Sequence, residues 1–478
     1  MKRRQAYKFE VIAKGSQQRD ARRFAGACRF VFNKALALQE QNYKDGEKFI
    51  RYEEMAKHLI AWKKDPQTCW LKEAPSQALQ QSLKNLDAAY QRFFDKIADR
   101  PTFKRRGQHD SFRFPQGFKL DQANSRIFLP KLGWLRYRNS REVVGTPKNV
   151  TMRHSCGKWF ISIQTERDVE PPVHEATTAV GMDLGVARFA TLSDGQSIAP
   201  LNSLKKHQQR LARYQRSMAR KQKFSKNWVK AKAKVQKLHS TIANVRRDFL
   251  HKTSTAISKN HALVCIEDLK VANMSRSAKG SKEQPGRNVK AKSGLNRSIL
   301  DQGWSEFRRQ LEYKQAWFGG LVVAVPPQHT SQRCACCGHV DAANRLSQAR
   351  FACVSCRYEA NADFNAACNI LAAGHAVLAC GESVQSGRSV KQEPAEATAQ
   401  DLLLFSAVGI PVLPALARQP KAEGGEDVKC LRKSFLCCDS WRQARPAGRR
   451  KRGFSGTADH CFWSFPPWPS FQGALRIR

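Results

Sequence analysis

Negative charge is scarce in this 478-residue chain: 40 Asp and Glu stand against 83 Lys and Arg, a formal net charge of +43. A small acidic substrate needs no such excess, whereas an extended polyanion does, and nucleic acid is the commonest one. Long apolar runs are missing too. A long uncharged stretch, residues 402–417, contains Pro411 and Pro414 and falls short of the ~20 apolar residues a membrane span requires, so no membrane partner is expected. Met1-Lys-Arg-Arg leads into no apolar segment, because Lys8, Glu10 and Lys14 interrupt it, which argues against a secretory leader. None of the 12 His forms a His-x-His pair. The 15 cysteines are odd in number and uneven, five of them lying between 334 and 356; this points to metal in a reducing, cytoplasmic compartment and away from a disulfide scaffold. What the chain has in quantity is core material, 41% hydrophobic residues with 10 Trp and 26 Phe. It is expected to fold, as two to four domains.

Tyr7 to Ile12 alternates like a half-buried strand, and Phe24, Cys28, Val31, Ala35 and Leu38 then recur at helical spacing. A second helix is expected from Pro75-Ser76, carrying Leu79, Leu83, Leu86, Tyr90, Phe93 and Ile97 on one face and ending at Pro101. From Phe112 to Val173 short alternating stretches separated by Gly, Asn and Pro predict a small β-barrel or sandwich. Residues 201–260 hold 17 Lys and Arg and a single acid, Asp248, yet Trp228, Ala231, Val235, Leu238, Ile242, Val245 and Phe249 repeat every three or four residues. Two long helices with basic outer faces are expected there, and so uncompensated a surface calls for an anion alongside. Residues 273–297, rich in Ser, Gly, Asn and Lys, are expected to form a flexible loop.

In so basic a chain, acids on apolar segments stand out. Asp183 ends Ala179-Val-Gly-Met, Glu267 ends Leu263-Val-Cys-Ile, and Asp363 sits in the first turn of a helix that runs to Ile370 and beyond. Three buried carboxylates repel one another unless cations lie between them, and Mg²⁺ or Mn²⁺ favours such oxygen ligands. Two such ions could activate water and stabilise a leaving oxygen in phosphodiester hydrolysis. The cysteines give the most specific local pattern: Cys334-x2-Cys337, fifteen residues, then Cys353-x2-Cys356, the spacing of a four-thiolate zinc ribbon. Cys337 is preferred to Cys336 because C-x2-C makes the usual knuckle and Gly338 permits its turn.

Gly-Met-Asp183-Leu-Gly, Ile-Glu267-Asp-Leu, Thr330-Ser-Gln-Arg-Cys334 with the four cysteines, and Asp363-x-Asn-Ala-Ala-x-Asn-Ile together resemble the TnpB (OrfB) family of insertion-sequence proteins. The likeness extends to Pro101-Thr-Phe-Lys104-Arg105-Arg106 and covers roughly residues 1–414. It implies a multidomain α+β chain: a helical recognition lobe (16–110) inserted in a β-barrel wedge domain (1–15 and 111–173), then a RuvC-like nuclease domain of RNase H fold (179–329 and 357–380) with an inserted zinc ribbon (330–356). It also implies an RNA-guided DNA endonuclease whose triad is Asp183, Glu267 and Asp363, with guide RNA from the transposon end and target DNA, duplex and displaced strand, as partners beside a short protein-read motif. Nucleic-acid contacts are expected from Lys104, Arg105 and Arg106 and from Lys205, Lys206, Arg213, Arg220, Lys221, Lys230, Lys234, Arg246 and Arg247. Arg357 follows the second cysteine pair where the family commonly has Gly. Residues 414–478 match nothing in the family and, with 381–413, are expected to be a disordered tail. A DDE transposase would order its acids Asp, Asp, Glu, a single-strand transposase would carry His-x-His, and a non-cutting RNA-guided repressor should have lost triad acids.

Overall fold

In the computed structural model residues 1–281 and 283–380 are described; the expected tail over 381–478 lies outside them. Strand β1 (Lys2–Ile12) buries Tyr7, Phe9 and Val11 on one face, as a period-two strand must. It leads into helices α1 (Gly15–Lys44), α2 (Tyr52–Lys64) and α3 (Ser76–Phe94), with a short 3₁₀ turn at Cys69–Glu73 before the last. α2 has no counterpart in the periodicities noted above; it is fixed by three buried side chains, Met55, Leu59 and Trp62, at helical spacing.

Six strands follow: β2 (Ser111–Phe114), β3 (Lys119–Asp121), β4 (Arg126–Leu129), β5 (Gly133–Tyr137), β6 (Thr146–Ser155) and β7 (Lys158–Asp168). With β1 they make a seven-stranded sheet in the order β2-β6-β7-β1-β5-β4-β3. Among the described residues β2 and β3 do not pair, so the hydrogen bonding is that of an open sheet and not of the closed barrel expected. The reason is local: β1 pairs with β7 from Lys2 to Val11 but with β5 only at Val11 and Ile12, so the short β3–β5 meander branches from the end of β1. One face of the sheet and the three helices share a single core in which Val31, Leu36, Leu79, Phe114, Ile161 and Ile163 are fully or almost fully buried. Each such side chain contributes about 1.5–3 kcal/mol.

The second half holds β8 (Ala179–Asp183), β9 (Ala190–Leu192), β10 (Ser197–Ile198), α4 (Ser203–Ala219), α5 (Lys226–Asn260), β11 (Leu263–Glu267), α6 (Val271–Met274), α7 (Val289–Gln302), α8 (Trp304–Phe318) and β12 (Leu321–Val325). A cysteine-bearing module with a 3₁₀ turn (Ala342–Asn344), β13 (Arg350–Ala352) and β14 (Glu359–Asn361) precedes α9 (Ala362–Ala379). The sheet order is β10-β9-β8-β11-β12, antiparallel in β10-β9-β8 and parallel from β8 through β11 to β12. β11 is apolar on both faces, as an interior parallel strand should be: Val264 and Ile266 pack on Leu250, Phe307 and Leu311, while Leu263 and Cys265 pack on Ile370.

Part of the expected flexible loop is ordered helix. Residues 289–297 belong to α7, which buries Ile299 and is tied back by Lys292 Nζ donating to Met274 O (2.8 Å) and Asn296 Nδ2 donating to Ser275 O (2.9 Å). Tertiary contacts outweigh the loop-like composition there. Among the described residues no helix is long and apolar enough to cross a membrane.

Candidate acidic site and thiol cluster

Strand alternation decides where two of the acids go. Val180 and Met182 face the α8 side, so Gly181 and Asp183 face α9; on β11 the same parity puts Cys265 and Glu267 on the α9 face. Ile266 pairs in register with Met182, so Asp183 and Glu267 end adjacent parallel strands side by side. α9 starts at that end. Asn361 caps it, accepting from the backbone N–H of Asp363 (3.1 Å) and Phe364 (3.4 Å), which leaves the Asp363 carboxylate without a capping task in the favourable first turn.

Two glycines let α9 lie this close. A Cβ on Gly181 would stand 2.1 Å from Ala367 O and 2.6 Å from Leu371 N, and one on Gly374 would stand 2.1 Å from Cys265 Sγ. Any side chain at either position would lift the helix that carries Asp363.

All three acids are half-buried. Burial, then the charge of Glu267, then that of Asp363 push the Asp183 carboxyl up to about 7, while Arg345 and the Leu184 N–H pull it down. Burial also raises Glu267, against the Thr330 hydroxyl, which donates to Glu267 Oε1 at 2.6 Å. Arg345 carries no signal in the sequence reading; it sits in the cysteine module just after the 3₁₀ turn, and its charge reaches Asp183 through the fold alone.

The module is fastened to the acidic site by two buried asparagines one helical turn apart on α9. Asn365 Nδ2 donates to Arg333 O (2.8 Å) and its Oδ1 accepts from Ala335 N (2.9 Å); Asn369 Nδ2 donates to Thr330 O (2.9 Å) and Arg333 O (2.7 Å). Within it, the Cys334, Cys337, Cys353 and Cys356 sulfurs all lie within 4.8 Å of one another, and Cys336 is exposed outside the set. Cys334 and Cys356 Sγ stand 3.7 Å apart, Cys337 and Cys353 Sγ 3.6 Å. A disulfide needs ~2.05 Å, whereas the edge of a tetrahedron with Zn–S of ~2.3 Å is ~3.8 Å, so the thiols fit zinc. Among the described residues this is the one such group of His, Cys, Asp or Glu that could hold a metal ion.

The two knuckles close alike despite different residues. Gly338 N donates to Cys334 O (2.9 Å) at φ 76°, and Arg357 N donates to Cys353 O (3.0 Å) at φ 59°. Arg357 thus takes a left-handed conformation that Gly would adopt freely.

The basic candidates divide. Lys205, Lys206, Arg213, Arg220, Lys221, Lys230, Lys234 and Arg247 are exposed on or beside α4 and α5, whose seam is Leu211, Val235, Leu238 and Ile242. Arg106 is exposed in the loop before β2 and Arg105 beside it already interacts within the fold. Two candidates have other duties. Lys104 Nζ lies 3.7 Å from the Phe32 ring centroid, and its backbone exchanges two hydrogen bonds with Asn33. Arg246 pairs with the buried Asp301 (3.3 Å), which also accepts from Ser203 Oγ and Leu204 N at the start of α4.

Comparison with known proteins agrees along the chain. The OrfB_IS605 family, described as "Probable transposase", matches residues 162–278; "Cas12f1-like, TNB domain" matches 304–370; and a "Helix-turn-helix domain" of OrfB_IS605 matches 1–48, a span that here forms one strand and one long helix. "Putative RNA-guided DNA endonuclease InsQ" of Escherichia coli (strain K12) is 65% identical over 396 residues, 83% of this chain and 98% of that protein. A "Putative RNA-guided DNA endonuclease" of Streptomyces pristinaespiralis is 34% identical over 409 residues, with the same shares covered. A Cas12f1–sgRNA–target DNA complex solved by cryo-EM aligns over 77% of this chain and 98% of its own at 12% identity and a TM-score of 0.49. At 65% identity over 83% of its own length and 98% of that relative's, the chain belongs to the OrfB (TnpB) family.

Proposed function

We propose that this protein is a transposon-associated, RNA-guided DNA endonuclease, with Asp183, Glu267 and Asp363 as its cutting site. The observation that carries the reading is the convergence of three carboxylates from distant parts of the chain, two at the ends of neighbouring parallel strands and one in the first turn of the helix laid over them. The sheet order, three antiparallel strands followed by two parallel ones, supports the reading of an RNase H-like (RuvC) nuclease domain. Family membership and the relatives' names support the activity.

Asp183 and Glu267, with Asp363 opposite, would hold Mg²⁺ or Mn²⁺. Such cations neutralise the carboxylates, polarise the scissile phosphate and favour attack by water. The chain's own residues prepare for this. Burial and the charges of Glu267 and Asp363 favour a cation beside Asp183; the Thr330 hydroxyl fixes one oxygen of Glu267; Arg345 adds a positive charge on the module side, where a phosphate would enter. The four thiols would hold zinc, and the module so stabilised keeps Thr330 and Arg345 in place. The exposed cations of α4 and α5 would take the phosphates of guide RNA from the transposon end and of target DNA, while base pairing reads sequence and the protein reads a short adjacent motif.

The test is expression with the native 3′ flank, purification with bound RNA, and cutting of a plasmid library in which the guide-matched target adjoins randomised sequence. Mg²⁺-dependent, guide-dependent cutting beside one recovered motif is the expected result. Guide-dependent binding with no cutting would replace this reading with that of an RNA-guided repressor.

A further inference from the structure

The turn between α4 and α5 carries an unusual set of residues. Phe224 is 76% exposed, the most exposed aromatic ring among the described residues. It also adopts φ 70°, a left-handed conformation that costs an L-residue roughly 1–2 kcal/mol. Ser225 starts α5 directly after it, its side chain accepting from Trp228 N (3.2 Å), which turns Trp228 back beside Phe224 with ring centroids 5.5 Å apart. Lys223 Nζ lies 5.4 Å from the Phe224 ring and Lys232 Nζ 5.0 Å from the Trp228 ring. From 220 to 230 there are five Lys or Arg and no acid, and Val229 is exposed as well. The apolar cluster between the two helices runs to Met218 on α4 and starts from Val235 on α5, with Ala231 buried one turn earlier, so Phe224 lies beyond it.

A strained, exposed ring that packs on no core marks a contact made with something else. Its surroundings say what. Aromatic faces ringed by cations suit unpaired nucleobases, which stack on the rings while their phosphates meet the lysines; a duplex offers its bases no such face. We infer that the Phe224–Trp228 tip is a stacking platform for an unpaired segment of nucleic acid. The inference rests on the nucleic-acid partnership proposed above and adds the site and the single-stranded form of the ligand. Guide RNA and displaced DNA share the necessary chemistry.

The test compares the full-length protein with a Phe224→Leu/Trp228→Leu variant, whose changes lie outside every core cluster and should leave the thermal transition in place. Affinity is measured at fixed salt for rU12, for dT12, for an abasic dT12 backbone of equal charge, and for a 12-base-pair duplex. The expected result is a loss of about tenfold or more for single strands, with duplex and abasic affinities within twofold and the salt dependence unchanged. Loss on rU12 alone assigns the site to RNA, and loss on both assigns it to either strand. Unchanged affinity for both rU12 and dT12, or wild-type binding to the abasic strand as tight as to dT12, would overturn the proposal. None of these readouts requires cleavage, so a failure of the endonuclease reading would leave them standing.

Discussion

The thiol cluster and the acidic cluster lie next to each other and are built on opposite principles. The thiols come from two short knuckles close in sequence, and their opposed pairs already stand at 3.6 and 3.7 Å, near the spacing of a filled zinc cage. The carboxylates come from positions 183, 267 and 363, and the charges of Glu267 and Asp363 raise the affinity of Asp183 for protons. One set, with a metal bound, would be closed and would serve the fold. The other is left electrostatically unsatisfied, which is what a site that must admit cations and a phosphate requires.

The contrast breaks most sharply under charge removal. Asp183→Asn is expected to lower guide-directed plasmid cutting by on the order of 10³-fold while leaving RNA binding intact, measured by single-turnover cleavage and filter binding. Arg345→Ala should lower it less, by about tenfold, without changing zinc content. On the thiol side, Cys353→Ser or a zinc chelator should open the module, seen as new protease cleavage between 330 and 356, and cutting should fall with it because Thr330 is anchored there. A Cys353→Ser protein with full zinc and full activity would remove the structural role.

Packing gives a middle-sized test. Gly181→Ala places a methyl against Ala367 O and should cost about 1–3 kcal/mol in denaturant unfolding, with a loss of cutting larger than that destabilisation explains, because α9 carries Asp363. The smallest expected effect sharpens the comparison of the two knuckles: Arg357→Gly should relieve the left-handed strain and stabilise the zinc-loaded protein by about 0.5–1 kcal/mol.

How much of this was legible in the sequence follows from the distance over which each feature is determined. Asp183 and Glu267 stand out because each ends a run of apolar strand residues, and the cysteine spacing is itself a local geometric rule. The basic hairpin is legible because its seam repeats every three or four residues. The roles of Asn365 and Asn369 are not, since their partners are backbone groups thirty or more residues away. Arg345 reaches Asp183 only once the module is folded against α9. α7 was hidden by a loop-like composition that Ile299, Lys292 and Asn296 override through tertiary contacts. Lys104 and Arg246 look like free cations in the sequence but are engaged by Phe32 and Asp301.

The central claim, that the acids form a repulsive site awaiting divalent cations, has a direct thermodynamic signature. A carboxyl raised from 3.8 in the unfolded chain to about 7 in the fold costs nothing below pH 4, costs progressively more as pH rises toward 7, and costs a constant amount above it. After allowance for solvent screening this is about 1–2 kcal/mol at pH 8. The measurement is the thermal midpoint of wild type and Asp183→Asn at pH 8, with and without millimolar Mg²⁺. Without cation, Asp183→Asn should melt higher than wild type, by a margin that vanishes near pH 4; Mg²⁺ should then raise wild type and leave Asp183→Asn nearly unmoved. A wild type that melts higher than Asp183→Asn in the absence of cation, or equal Mg²⁺ shifts in both, would contradict the account.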